Sequence, residues 1–126
     1  MPQLYAHKTL FVLMILSIFL IFPRLGENVL QVDEGSDSFY SLTILKYGYP
    51  ATSDGLNEFG GVIGIDGVWK QQPWFPFYVR ALSLLFFGQN SFAARFPSAL
   101  LGVLSVPLLY FLSLMVLGNK KESIIA

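Results

Sequence analysis

The sequence predicts an all-α integral membrane fold, in which two transmembrane helices flank an outer loop that contains juxtamembrane helices. Of its 126 residues, 54% are hydrophobic and only 13% are charged, whereas soluble domains usually carry about 25% charged residues. Two long apolar runs lie near the two ends of the chain, and seven of the eight acidic residues lie between them. A bilayer is therefore the expected solvent for the runs, and water for the segment between them.

The composition also excludes several kinds of chemistry. The chain has no cysteine, so disulfides, thiolate metal sites and cysteine nucleophiles are all excluded. It has a single histidine, His7, which leaves little scope for a histidine-based metal site. The formal net charge is zero, which gives no field that would attract nucleic acid. Any chemistry must use carboxylates, lysine, arginine, tyrosine and the backbone.

The first apolar run, Thr9 to Phe22, contains no charged residue. Fourteen residues rise only about 21 Å as a helix, so we extend the predicted span to about residues 4–22 to cross a core of ~30 Å. A cleaved signal peptide is the alternative. The run ends in Phe22-Pro23-Arg24, without a small-x-small cleavage site, which favours an uncleaved anchor.

The second run, Phe96 to Leu117, has 22 residues without a charge and reaches about 33 Å, enough to span. Lys8 and the pair Lys120-Lys121 mark cytoplasmic ends by the positive-inside rule. We therefore expect a multi-pass protein of the plasma membrane, with a cytoplasmic N-terminus and the loop 23–95 outside. Apolar residues resume near position 124, where we expect a third span, so residues 1–126 are expected to be the N-terminal part of a larger transmembrane domain.

The loop divides into three parts. The stretch Asp33–Tyr47 predicts a helix with Asp33 or Ser36 as its N-cap and Gly48 just past its end. Residues 51–70 contain five glycines and predict a loop with room for a short strand. The apolar stretch 73–87 is too short to cross a bilayer. It is compatible with an interfacial or re-entrant helix and equally with a buried packing helix.

The acidic residues at the start of the first loop helix are the candidate chemical groups. Asp33, Asp37 and Tyr40 are spaced i, i+4, i+7, which places them on one helical face. The plainer interpretation is an acidic first turn that stabilises the helix N-terminus by roughly 0.3–1 kcal/mol. Spacing alone favours that interpretation.

Three segments in order resemble a known family. The succession DEGSDSFYSLTILKYGYP, QQPWFPFYVRALSLLFFG and NSFAARFPSALLGVLSVPLLYFL resembles the opening of GT-C superfamily glycosyltransferases, such as protein O-mannosyltransferases and the aminoarabinose transferases that act on lipid A. The resemblance covers roughly residues 10–118. It implies transfer of a sugar, with inversion, from a polyprenyl- or dolichyl-phosphate carrier to an acceptor hydroxyl on a protein or glycolipid. Membrane lipids would be the surrounding partners.

The resemblance assigns roles to individual residues. It implies that Asp33 is the general base and that Glu34 is its catalytic neighbour in the acceptor or donor site. Asp37 and Tyr40, which share the helical face of Asp33, are predicted to bind substrate. The family's carrier-phosphate lysine aligns with Gln72, so Lys70 is the substitute that could reach the phosphate. The family's proline pair is broken here into Pro73-Trp74-Phe75-Pro76.

The sequence leaves open the roles of Arg95 and Arg80 and the need for a metal cofactor. Arg95 matches the family's arginine at the outer mouth of the second span and either contacts the phosphate or anchors the helix. Arg80 is expected to snorkel or to pair with a loop carboxylate. A divalent metal is possible, although no metal ligand set is visible. The piece itself is expected to be inactive alone. The alternatives are a non-catalytic two-span anchor or subunit and a fragment of a polytopic transporter or flippase.

Overall fold

A computed structural model describes residues 2–58 and 66–117, and all regular structure in that part of the chain is helical. The four helices are α1 (Pro2–Ile21), α2 (Val32–Tyr47), α3 (Phe75–Phe87) and α4 (Ser91–Leu117). The chain divides into a helix unit (Met1–Pro23 and Ser98–Ala126) and a loop unit (Arg24–Pro97). The third span expected near residue 124 lies outside the described residues.

The helix unit contains α1 and the larger part of α4. The stretch Ser91–Val116 of α4 is long and apolar enough to cross a membrane, and it alone passes that test among the described residues. The apolar part of α1 that the structure describes, Lys8–Ile21, is shorter. Both helices expose large apolar side chains, with Phe19 72% and Met115 82% exposed. An apolar surface of this kind suits a lipid environment.

The loop unit is built on α2 and α3, which pack against each other. Its core consists of five side chains from α2, α3 and the end of the glycine-rich segment: Tyr40, Ile44, Trp69, Phe77 and Ala81. The residues on the outer side of α3 are apolar but exposed, among them Phe75 and Phe86. The helix 73–87 expected from the sequence is thus present, with one face buried and the other face open.

The ends of α2 show one correct and one wrong prediction. Gly48 follows the helix in a left-handed conformation (φ 83°), and its N–H donates to the carbonyl of Ile44 at 2.8 Å, as expected for a glycine cap. The N-cap is Gln31, however, and not Asp33 or Ser36. The Glu34 carboxylate accepts from the Gln31 N–H at 3.1 Å, which is the capping-box bond to the N-cap backbone.

The glycine-rich segment is a loop with two isolated antiparallel bridges, Ala51 with Val68 and Ser53 with Glu58, in its described residues. The expected short strand is therefore reduced to single bridges there. Thr43 of α2 holds the start of the loop, because its hydroxyl accepts from the Ala51 N–H at 2.9 Å. The loop is thus attached to the helix that carries the acidic residues.

Candidate functional site

Asp33 lies in the first turn of α2 with its carboxylate exposed to solvent. Its backbone carbonyl accepts from the Ser36 hydroxyl at 2.9 Å. Its carboxylate has no hydrogen-bond or ion-pair partner among the described residues, unlike those of Glu34 and Asp37. This carboxylate is therefore accessible to an incoming molecule, as a base that accepts a proton has to be.

Glu34, the next residue, is held by Arg95 from the start of α4. The Nε of Arg95 donates to one Glu34 oxygen at 3.0 Å and Nη2 donates to the other at 2.7 Å, which is a bidentate pair. The hydrogen bond from Arg95 is the main cause that lowers the pKa of Glu34 to about 2. Glu34 is therefore an ionised, engaged group and a poor proton acceptor.

The guanidinium of Arg95 is itself fully occupied. Besides the two bonds to Glu34, Nη1 donates to the carbonyls of Leu25 and Asn28, both at 3.0 Å. The Nη2 group also donates to the carbonyl of Val29 at 3.2 Å. A guanidinium has five N–H donors, and all five are used. This geometry favours the anchoring role over contact with a phosphate.

Asp37 is paired in a similar way, with Arg80 of α3. Nη1 of Arg80 lies 3.0 Å from the carboxylate, and the two side chains are only 17% and 28% exposed. Nε of Arg80 donates to the carbonyl of Ala94 at 3.1 Å. The sequence left open whether Arg80 snorkels or pairs with a carboxylate, and the structure has the pair. It joins α2, α3 and the first turn of α4.

Tyr40 lies in the core of the loop unit. Its side chain is 1% exposed, stacks on Trp69 with ring centroids 4.3 Å apart, and contacts Phe77. Burial is the main cause that raises the pKa of its hydroxyl, and the Asp37 carboxylate adds to the effect. Tyr40 does lie on the same face of α2 as Asp33. That face is exposed to solvent at Asp33 but is packed into the core at Tyr40.

Lys70 lies in the glycine-rich segment and pairs with Asp66. Both side chains are largely exposed, at 58% and 49%. The hydrogen bond from Lys70 is the main cause that lowers the pKa of Asp66. Since an exposed pair of this kind is screened by solvent and contributes little to stability, Lys70 can exchange this partner for another anion.

The structure groups the predicted site residues only in part. Asp33, Glu34, Asp37 and Arg95 lie around the first two turns of α2, Tyr40 lies below them in the core, and Lys70 is a member of the loop. The described residues contain no group of three or more His, Asp or Glu side chains that could hold a metal ion.

Sequence reasoning missed the carbonyls that Arg95 binds. The sequence pattern assigns no role to the segment 25–29, and Arg95 lies 70 residues from Leu25 in the chain. One weak signal was present in Gly26. A Cβ added at that position would lie 3.0 Å from the Cβ of Phe92, so the segment has to run close to the start of α4.

Comparison with known proteins gives no match for this chain among protein-family models, curated proteins or solved structures.

Proposed function

We propose that this chain is part of a GT-C type membrane glycosyltransferase that uses a polyprenyl- or dolichyl-phosphate-linked sugar. In this proposal α1 and α4 both cross the plasma membrane and the loop unit lies on its outer face. The ordered resemblance of residues 10–118 to that family is the basis for the reaction class. The multi-pass topology follows from the same resemblance and from the placement of the basic residues.

The observation that carries the proposal is the contrast among three neighbouring carboxylates. Glu34 and Asp37 are engaged by arginines, while Asp33 is exposed and without a partner among the described residues. The acceptor hydroxyl has to reach a general base, and of these three carboxylates only that of Asp33 is exposed and not held by an arginine. The engaged neighbours keep the surrounding charge fixed while Asp33 gains and loses a proton.

In the proposed reaction, the acceptor hydroxyl attacks the anomeric carbon of the carrier-linked sugar. The new bond joins the acceptor oxygen to that carbon while the bond from the carbon to the phosphate oxygen breaks on the opposite face. Asp33 takes the hydroxyl proton, and the electron pair of the broken bond leaves with the polyprenyl phosphate. Attack and departure on opposite faces give inversion. Because phosphate is a good leaving group, it needs cationic stabilisation and no general acid.

Of Lys70 and Arg95, Lys70 is the better candidate to supply that positive charge. Arg95 would have to break one of its five hydrogen bonds to bind a phosphate. Lys70 would give up only an exposed pair with Asp66. We therefore assign the carrier-phosphate contact to Lys70 in this proposal, in place of the family lysine that is Gln72 here.

The decisive experiment replaces Asp33 by Asn in the full-length protein. Membranes are assayed for transfer from polyprenyl- and dolichyl-phosphate-linked mannose and aminoarabinose to endogenous acceptors. Removal of a general base is expected to lower kcat by about 10²–10⁴-fold. Glu58→Gln is the matched control, since it removes an exposed loop carboxylate and is expected to leave transfer unchanged. Transfer at the wild-type rate in Asp33→Asn would make the base assignment wrong.

A further inference from the structure

We propose that Arg95 is a positioning residue, which ties the segment 25–29 to the first turn of α2 and thereby sets the position of Asp33. This inference rests on the proposed function, in which Asp33 is the base. Arg95 would act through Glu34 and through the backbone, without contact to the substrate.

The first support is the number and kind of bonds that Arg95 makes. Three of them go to backbone carbonyls of the segment 25–29, at 3.0, 3.0 and 3.2 Å. Two go to the Glu34 carboxylate. The Arg95 side chain is only 18% exposed, although its bonds to the carbonyls of Asn28 and Val29 lie at the surface. One side chain thus fixes two stretches of backbone that are adjacent in the sequence.

The second support is the position of Glu34 in α2. Its Oε2 atom accepts both from Arg95 Nη2 and from the Gln31 N–H that precedes the helix. The same carboxylate therefore caps the helix and receives the arginine. Asp33 is joined to Glu34 by one peptide bond, so a shift of the cap moves Asp33 with it.

The third support is independent of charge. A Cβ on Gly26 would lie 3.0 Å from the Cβ of Phe92, which is one helical turn before Arg95 on α4. A Cβ contact this short is tight, so an alanine at this position would push the segment and Phe92 apart by a few tenths of an ångström. The segment 25–29 is thus held against α4 by close packing at Gly26 and by hydrogen bonds at Arg95.

Lysine cannot replace Arg95 in this role. Its ammonium has three donors at one point, whereas the five bonds of Arg95 leave a planar fork in several directions. A phosphate ligand, by contrast, could be lysine or arginine, because both bind phosphate. The variant Arg95→Lys therefore separates positioning from direct phosphate contact.

The test uses the full-length protein in lipid nanodiscs, with Arg95→Lys, Gly26→Ala and the control Arg24→Lys. Arg24 is an exposed arginine immediately before this segment, and its pair with Glu27 is open to solvent. Two measurements are made on each protein: backbone hydrogen exchange over residues 25–36, and steady-state kinetics that give kcat and KM for polyprenyl-phosphate-linked mannose or aminoarabinose. We expect Arg95→Lys to exchange at least tenfold faster over 25–36 and to lose at least tenfold in kcat, with KM for the donor changed less than twofold. Gly26→Ala should show the same pattern more weakly, and Arg24→Lys should match wild type.

Two results would overturn the inference. One is unchanged hydrogen exchange over 25–36 in Arg95→Lys. The other is a raised KM for the donor with an unchanged kcat, since that pattern belongs to a residue that contacts the phosphate. If Arg95→Lys does not accumulate, Gly26→Ala decides by the same two measurements, because it keeps every donor of Arg95.

Failure of this inference can be distinguished from failure of the proposed function. If Asp33→Asn retains transfer, the glycosyltransferase mechanism is wrong, and the role of Arg95 in catalysis is overturned with it. If Asp33→Asn loses transfer while Arg95→Lys behaves like wild type, the mechanism stands and only the positioning role is wrong.

Discussion

The acidic start of α2 and the glycine-rich segment 51–70 both carry paired charges, but they hold them differently. The pair of Asp37 and Arg80 joins two helices with side chains only 28% and 17% exposed. The pair of Asp66 and Lys70 joins neighbours in one loop, with side chains about half exposed. The first kind of pair is shielded from water and connects distant parts of the chain, while the second is local and screened.

The difference separates charges that hold the structure from charges that are free to bind. A partly buried pair cannot lose one member cheaply, because the remaining charge stays in a poorly solvated position. An exposed pair can be exchanged for another ion at little cost. Among the candidate site residues, Asp33 and Lys70 are therefore the accessible charges, whereas Arg80 and Arg95 are held in shielded contacts.

The largest expected effect concerns Tyr40, which connects the two regions because it comes from α2 and stacks on Trp69 of the glycine-rich segment. Tyr40→Ala should destabilise the loop unit by about 3–5 kcal/mol, the usual loss for a large buried aromatic side chain. Tyr40→Phe should change the unfolding temperature little. Differential scanning calorimetry of the full-length protein in detergent measures both. A loss of transfer in a stable Tyr40→Phe variant would instead make the hydroxyl a substrate contact.

The second effect concerns the shielded pair. Arg80→Gln should destabilise the unit by about 1–3 kcal/mol, because Asp37 loses a charged hydrogen-bond partner and the Ala94 carbonyl loses a donor. Urea unfolding in detergent, compared with wild type, gives the difference. If the free energy of unfolding changes by less than the measurement error, the pair of Asp37 and Arg80 is as weak as the exposed pair of Asp66 and Lys70. The two regions would then not differ in how they hold their charges.

The third effect is acid sensitivity at Glu34. Its folded pKa of about 2 lies below its ordinary value of 4.5. Its contribution to stability is therefore fully present above pH 4.5 and is lost as the pH falls from 4.5 toward 2. The unfolding temperature should drop over that window, and it should drop less in Glu34→Gln. If the unfolding temperatures of wild type and Glu34→Gln fall in parallel over this pH range, the bond from Arg95 to Glu34 contributes nothing to the acid sensitivity.

The smallest effect on stability is expected at Lys70. Lys70→Gln should leave the free energy of unfolding nearly unchanged, since its pair with Asp66 is exposed and screened by solvent. If Lys70 contacts the carrier phosphate, the same variant should raise KM for the donor severalfold. Donor titrations of wild type and Lys70→Gln test this, and an unchanged KM would remove Lys70 from the site.

The sequence was informative where the interaction is local. The helix of the acidic cluster and its glycine cap follow from patterns within a few residues, and both are present. The N-cap was assigned wrongly to Asp33 or Ser36 because the usual preference favours short polar side chains, while here Glu34 supplies the bond to Gln31. The residue that makes Glu34 unavailable, Arg95, lies 61 residues away, and no local pattern records such a contact.

Tyr40 and Arg80 also show what local sequence patterns cannot determine. Helical spacing correctly placed Tyr40 on the face that begins at Asp33, but spacing does not tell where along that face the solvent ends and the core begins. For Arg80, an isolated arginine in an apolar helix predicted either snorkelling or a carboxylate partner. Only the packing of α2 on α3 decided between them and identified Asp37.

The ring stack of Tyr40 and Trp69 also gives the protein a built-in optical reporter. The chain has only two tryptophans, and they lie in different surroundings: Trp69 is 9% exposed and Trp74 is 37% exposed. Their fluorescence should therefore separate into a blue-shifted component from Trp69 and a red-shifted component from Trp74. Undocking of the glycine-rich segment would expose Trp69 and shift its component to the red, so the attachment of that segment to α2 can be followed without a label.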